Sequence, residues 1–92
     1  MKQTNTSKEM KIIKRDGTVV PFNKTKIRQA VTQAMRNGSG IYLPDIARLI
    51  ANDAERYFSK KSETPTILKV EKYVFERLTF YGQDLTAKAY EG

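Results

Sequence analysis

The residues with most chemistry to offer stand close together near the start of the chain. Lys14, Arg15 and Asp16 fall within Lys11-Ile12-Ile13-Lys14-Arg15-Asp16-Gly17-Thr18-Val19-Val20-Pro21-Phe22, and Lys26 follows shortly after. Arginine presents a flat fork to two oxygens and lysine a point charge, so such a set can hold a polyphosphate without a glycine loop. Aliphatic residues beside those cations add the apolar contact that a nucleobase needs. Binding, rather than catalysis, is the chemistry on offer. The chain has no Cys and no His, which excludes thiolate nucleophiles, Cys or His zinc sites, imidazole bases and Ser-His triads. Neither standard phosphate loop, GxxxxGK[ST] or GxGxxG, occurs.

The cations need a support, and the flanking pattern supplies one. Ile12-Ile13 and Val19-Val20 flank Asp16-Gly17, the commonest signal for a two-residue hairpin turn. That loop sets Arg15 opposite Thr18, Lys14 opposite Val19, Ile13 opposite Val20 and Ile12 opposite Pro21. Alternation then places Ile12, Lys14 and Val19 on one face, with Ile13, Arg15, Val20 and Phe22 on the other. A lone hairpin is marginal in water, so one face must lie on helices.

Helices are legible downstream. Asn23 is a good N-cap, and Ile27, Ala30, Val31, Ala34 and Met35 share one face of a first helix that stops at Asn37-Gly38-Ser39-Gly40. Pro44 and Asp45 open a second, whose stripe of Ile46, Ala47, Leu49, Ile50, Ala54, Tyr57 and Phe58 is broken by Asp53. Thr64 or Thr66 caps a third with Pro65 in its first turn; Ile67, Val70, Val74, Leu78 and Tyr81 run down one side, and Phe75 and Phe80 broaden that face. Gly82 ends it, and Asp84 starts a last short helix. The aromatics of the second half fall at helical spacing, which is a core pattern rather than a base-stacking platform. The expected architecture is a small α+β domain, a hairpin packed across about four helices, preceded by a polar, frayed arm over residues 1–10.

Composition narrows the partners. The chain of 92 residues is one domain, and 17 Lys and Arg against 10 Asp and Glu leave a net charge of +7, which favours anionic partners. No run approaches the roughly 18 apolar residues of a membrane span. Residues 1–10 lack the apolar stretch of a signal peptide, so a cytoplasmic location is expected.

Taken together and in order, Lys14-Arg15-Asp16-Gly17, Val20-Pro21-Phe22, Lys26-Ile27-Arg28-Gln29-Ala30-Val31 and Ala87-Lys88-Ala89-Tyr90 resemble the ATP-cone domain. The similarity covers residues 11–92. It implies a hairpin lid on a small helical bundle that binds ATP or dATP, with or without Mg²⁺, as an allosteric effector of a ribonucleotide reductase, ATP permitting activity and dATP shutting it off. The Pro-Phe wording is most similar to the anaerobic, glycyl-radical class of ribonucleoside-triphosphate reductase, whose catalytic domain and subunits would be the partners. The chain then reads as a domain cut from a longer protein.

By position, the resemblance makes Lys14 and Arg15 the pair that contacts phosphates and ribose, Ile12 and Ile13 the strand lining the base pocket, and Lys26 the helix lysine that reaches phosphate. Contacts from the third helix fall near Thr66, Ile67 and Glu71. This chain has no histidine there, and Ile67 stands where a threonine can occur. No metal ligand or catalytic residue is implied. Each site residue also has a plainer account: a solvated tip for Lys14 and Arg15, a first-turn surface lysine for Lys26, a helix cap for Thr66, a surface ion pair for Glu71.

Two other functions share these features. A basic nucleic-acid-binding module would explain the charge, but the cations are spread along the chain without interleaved aromatics. A nucleotide-sensing transcriptional regulator fragment is the other; the repressor that shares the domain carries a four-Cys zinc ribbon, and this chain has no Cys.

Overall fold

The computed structural model describes residues 10–91. Strands β1 (Lys11–Ile13) and β2 (Val19–Pro21) are followed by helices α1 (Lys24–Asn37), α2 (Pro44–Ser59), α3 (Ile67–Phe80) and α4 (Asp84–Glu91). The strands form one antiparallel hairpin, so the fold is the expected α+β one. The arm expected over residues 1–10 lies outside the described residues except for Met10, whose carbonyl accepts from Phe22 N at 2.9 Å and so extends the hairpin.

The register is one residue away from the expected one. Lys11 pairs with Pro21, Ile12 with Val20 and Ile13 with Val19. The turn is the cause. Lys14 N donates to Thr18 O at 2.8 Å and Gly17 N to Lys14 O at 2.9 Å, which closes a three-residue loop over Arg15, Asp16 and Gly17. Only Gly17 takes a positive φ, 90°, as in a type I turn followed by a bulge residue. Asp16 keeps a negative φ, and its carboxylate accepts from Thr18 N at 2.9 Å. That hydrogen bond, with a smaller contribution from nearby Lys14, holds the Asp16 carboxyl below the usual carboxylate range.

A one-residue slip exchanges the faces. Val20 and Phe22 therefore join Ile12 and Lys14 on the inner side, and Val19, expected beside Ile12, is 56% exposed. Ile12 enters the core with Val31, Met35, Ile50, Val70, Val74 and Leu78. The hairpin is also tied by its backbone, Ile13 N donating to Pro65 O at 2.9 Å in a parallel bridge to the start of α3.

Capping follows the sequence signals, with one adjustment. The Asn23 side chain accepts from Thr25 N at 2.9 Å, and Pro44 sits in the first turn of α2. Thr66, not Thr64, caps α3, accepting from Lys69 N at 3.2 Å. Pro65 stands before that cap rather than in the first turn, which frees its carbonyl for Ile13. No helix among the described residues is long and apolar enough to cross a membrane.

Helix α1 packs on α2 and α4, and α3 packs on α2 and α4. Gly38 sets the α1–α4 distance: a Cβ there would lie 2.5 Å from the Leu85 carbonyl oxygen. That close approach demands glycine at this position. Gly38→Ala is expected to cost about 2 kcal/mol, the usual scale of overpacking against a backbone that must shift. Urea unfolding with an unchanged midpoint would show that α4 yields freely.

Asp53, the acid interrupting the α2 stripe, joins α2 to α3. Its carboxylate accepts from Arg56 at 2.8 Å, from the Tyr81 hydroxyl at 2.8 Å and from Arg77 at 3.3 Å. Phe80 does not broaden the buried face of α3. It is 69% exposed, with the Arg77 guanidinium 4.2 Å from its ring centroid.

Candidate functional site

A cleft of about 400 Å³ opens between the inner face of the hairpin, the start of α1, the first turns of α3 and the end of α4. Ile12, Val20 and Phe22 form its hairpin wall, Ile27 and Ala30 the α1 wall, Ile67 and Val70 the α3 wall, and Tyr90 closes it from α4. Lys14, Lys26 and Glu71 are the charged groups in the lining. The local folding explains the convergence. The bulged turn turns Lys14 inward with Ile12, the Asn23 cap starts α1 so that Lys26 and Ala30 share a face, and the Thr66 cap sets Ile67, Val70 and Glu71 at i, i+3 and i+4.

Of the residues singled out from sequence, Ile12, Lys14, Lys26, Ile67 and Glu71 meet in this cleft. Ile13 and Thr66 do not line it; their backbones bridge β1 to α3. Arg15 stands at the rim, one terminal nitrogen 2.8 and 2.9 Å from the two Glu71 oxygens. The side chains of Lys14 and Lys26 make no ion pair among the described residues. Two cations are thus turned toward an apolar hollow with one acid at its edge.

Sequence reasoning missed Val20, Phe22 and Tyr90 as lining residues. The first two follow from the register once the bulged turn is recognised. Tyr90 carried no local signal beyond its place in the Ala-Lys-Ala-Tyr run. Burial, with the nearby Glu71 carboxylate adding to it, pushes the Tyr90 phenol up to about 12. A tyrosine whose pKa is raised by folding stabilises the protein below the unfolded pKa, roughly 10, and that contribution is lost as pH rises toward the folded value. Absorbance titration should therefore show one phenol ionising near pH 12, absent in Tyr90→Phe. Ionisation of every tyrosine near the ordinary value would contradict the burial of this ring.

Two wider hollows lie elsewhere, about 600 Å³ beside Tyr57 and Tyr73 and about 620 Å³ beside Lys24 and Asn52. Most of their cations are already committed. Lys69 pairs with Glu63 at 3.5 Å, Lys61 lies 4.6 Å from the Tyr57 ring centroid, and Lys24 pairs with Glu55 at 3.3 Å. The smaller cleft, with a mostly apolar lining and uncommitted cations, fits an organic polyanion better. Its volume falls within the range of roughly 300 to 1,000 Å³ typical of small-molecule sites. An adenine nucleotide fits this donor set: apolar walls for a base and ammonium groups for phosphates. Among the described residues no group of three or more acidic side chains gathers to hold a metal ion.

A hairpin over four helices turns two cations toward an apolar cleft, an arrangement whose chemistry suits an organic anion. The family model of the ATP cone domain matches residues 10–91, and the chain belongs to that family. ATP cones are regulatory rather than catalytic domains that bind ATP and dATP as allosteric effectors. A comparison with curated proteins returned no match.

Proposed function

We propose that this ATP cone is the overall-activity switch of a ribonucleotide reductase, with the hairpin cleft as its effector site. In this reading ATP permits activity, dATP shuts it off, and the parent is a cytoplasmic enzyme of the anaerobic ribonucleoside-triphosphate class. Lys14, Lys26 and Arg15 hold the phosphates, and Ile12, Phe22 and Ile67 flank the base. Ile13 and Thr66 contribute by fixing β1 to α3. The observation that carries the reading is the pair of lysines, without an ion pair among the described residues, turned into an apolar cleft.

ATP and dATP differ by one 2′-hydroxyl, so the switch must turn about one hydrogen bond into a preference between two arrangements of the parent enzyme. A net hydrogen bond contributes roughly 0.5 to 1.5 kcal/mol and allosteric couplings run at about 1 to 3 kcal/mol, so the two are commensurate. The shift can lie in how the cone meets the catalytic domain and subunits.

Calorimetric titration with ATP, dATP and GTP tests the effector site. Saturable binding of the adenine nucleotides with a shallow salt dependence is expected. Silence toward nucleotides combined with steeply salt-dependent binding of a polynucleotide would overturn it in favour of a nucleic-acid module. In the reductase that carries the chain, deleting residues 10–91 should abolish dATP inhibition and spare catalysis.

A further inference from the structure

The one acid in the cleft lining has a partner that matters. Glu71 stands in the second turn of α3, and the Arg15 nitrogen that reaches both of its oxygens comes from the hairpin tip, 56 residues away in sequence. This contact bridges lid to bundle at the edge of the cleft. A carboxylate in a site whose other charges are Lys14 and Lys26 works against a polyanionic ligand by occupying a cation that phosphate could use.

We propose that Glu71 competes with the phosphates of the nucleotide for the Arg15 guanidinium, so that this ion pair sets the effector concentration at which the cleft fills. The inference rests on the effector-site reading above. Carboxylate and phosphate are interchangeable acceptors for a guanidinium fork, and phosphate brings more charge and more oxygens. Exchange is easy because the pair is open to water, with side chains 64% and 36% exposed. Pairs this exposed are weak, so the threshold they set is a modest one, about three- to fivefold in affinity. The exchange also gives the hairpin two anchors, α3 through Glu71 or the ligand, and so ties the position of the lid to occupancy of the site.

The test is a double-mutant cycle on the 92-residue chain, titrating wild type, Glu71→Gln, Arg15→Ala and the double variant with ATP and with inorganic tripolyphosphate. Glutamine keeps the shape of Glu71 at a partly exposed position, and matching urea midpoints confirm that the fold is retained. Glu71→Gln is expected to bind both ligands about three- to fivefold more tightly, and that gain should vanish in the Arg15→Ala background. Weaker ATP binding by Glu71→Gln would overturn the proposal by making Glu71 a ligand contact. A gain that persists without Arg15 would overturn it in favour of simple repulsion, and a gain confined to ATP would move the effect to ribose or base. Failure of wild type and all variants to bind either ligand would instead overturn the effector site itself.

Discussion

Replacing Lys14 and Lys26 together with alanine should weaken ATP binding about a hundredfold and leave the fold untouched. Each ammonium facing a phosphate contributes a charge-assisted hydrogen bond, roughly 1.5 kcal/mol at the lower end of the usual range, or about tenfold in affinity. A loss of about a hundredfold takes the two contributions as additive, and comparison with each single variant measures the coupling through the phosphates they share. Stability is not at stake, because neither ammonium makes an ion pair among the described residues and both residues are exposed. Calorimetry beside thermal unfolding separates the two quantities. Unchanged affinity in the double variant would remove phosphate binding from this cleft.

Asp53→Ala should have the opposite signature, with stability lost and affinity kept. The carboxylate is nearly buried and satisfies Tyr81, Arg56 and Arg77 together, while its backbone carbonyl accepts from the Tyr73 hydroxyl at 3.4 Å. Removing it leaves the Arg77 guanidinium, which is 28% exposed, without its carboxylate. Breaking a buried pair from one side costs about 3 to 5 kcal/mol, and the partial exposure of both arginines places this case near 3. For a domain of this size the melting temperature should fall by roughly 12 °C or more. Asp53 does not line the cleft, so ATP affinity measured well below the transition should match wild type. Asp53→Asn keeps an acceptor for Tyr81 and should cost less than Asp53→Ala.

Much of this was legible in the residues. Asn23, Pro44 and Thr66 marked helix starts through side-chain capping and restricted φ, which are local effects that survive any tertiary context. The α1 stripe marked Val31, Ala34 and Met35 as buried because helical periodicity is also local, while Ala30 on the same stripe lines the cleft and is exposed. The hairpin was legible as a hairpin, but its register was not. Asp16-Gly17 serves both a two-residue loop and a three-residue loop with a bulge, and the choice turns on whether Asp16 itself enters the left-handed region. Here Asp16 keeps a negative φ with its carboxylate accepting from Thr18 N, and the three-residue turn sets which aliphatics face the cleft.

The candidate site was visible in its cations and less so in its walls. Lys14 and Lys26 could be picked out through the resemblance of their motifs to the ATP-cone domain, since spacing alone fits surface lysines equally well. Tyr90 could not, since only tertiary packing carries the end of α4 back to the hairpin. The same holds for Arg15 and Glu71, whose pairing joins distant segments, and for Asp53, which looked like a flaw in a stripe and is the centre of a network. Phe80 misled for the reverse reason: its spacing suits a core, but Arg77 gives its ring a partner at the surface.

The most direct test of the effector-cleft account is to follow backbone amide resonances of the chain during titration with ATP. Shifts should concentrate at Ile12, Lys14, Phe22, Lys26, Ile67, Glu71 and Tyr90 and saturate together, with Tyr57, Lys61 and Tyr73 unaffected. Saturable shifts centred on Tyr57, Lys61 and Tyr73, with the hairpin silent, would contradict the account and move the nucleotide to the other side of α3.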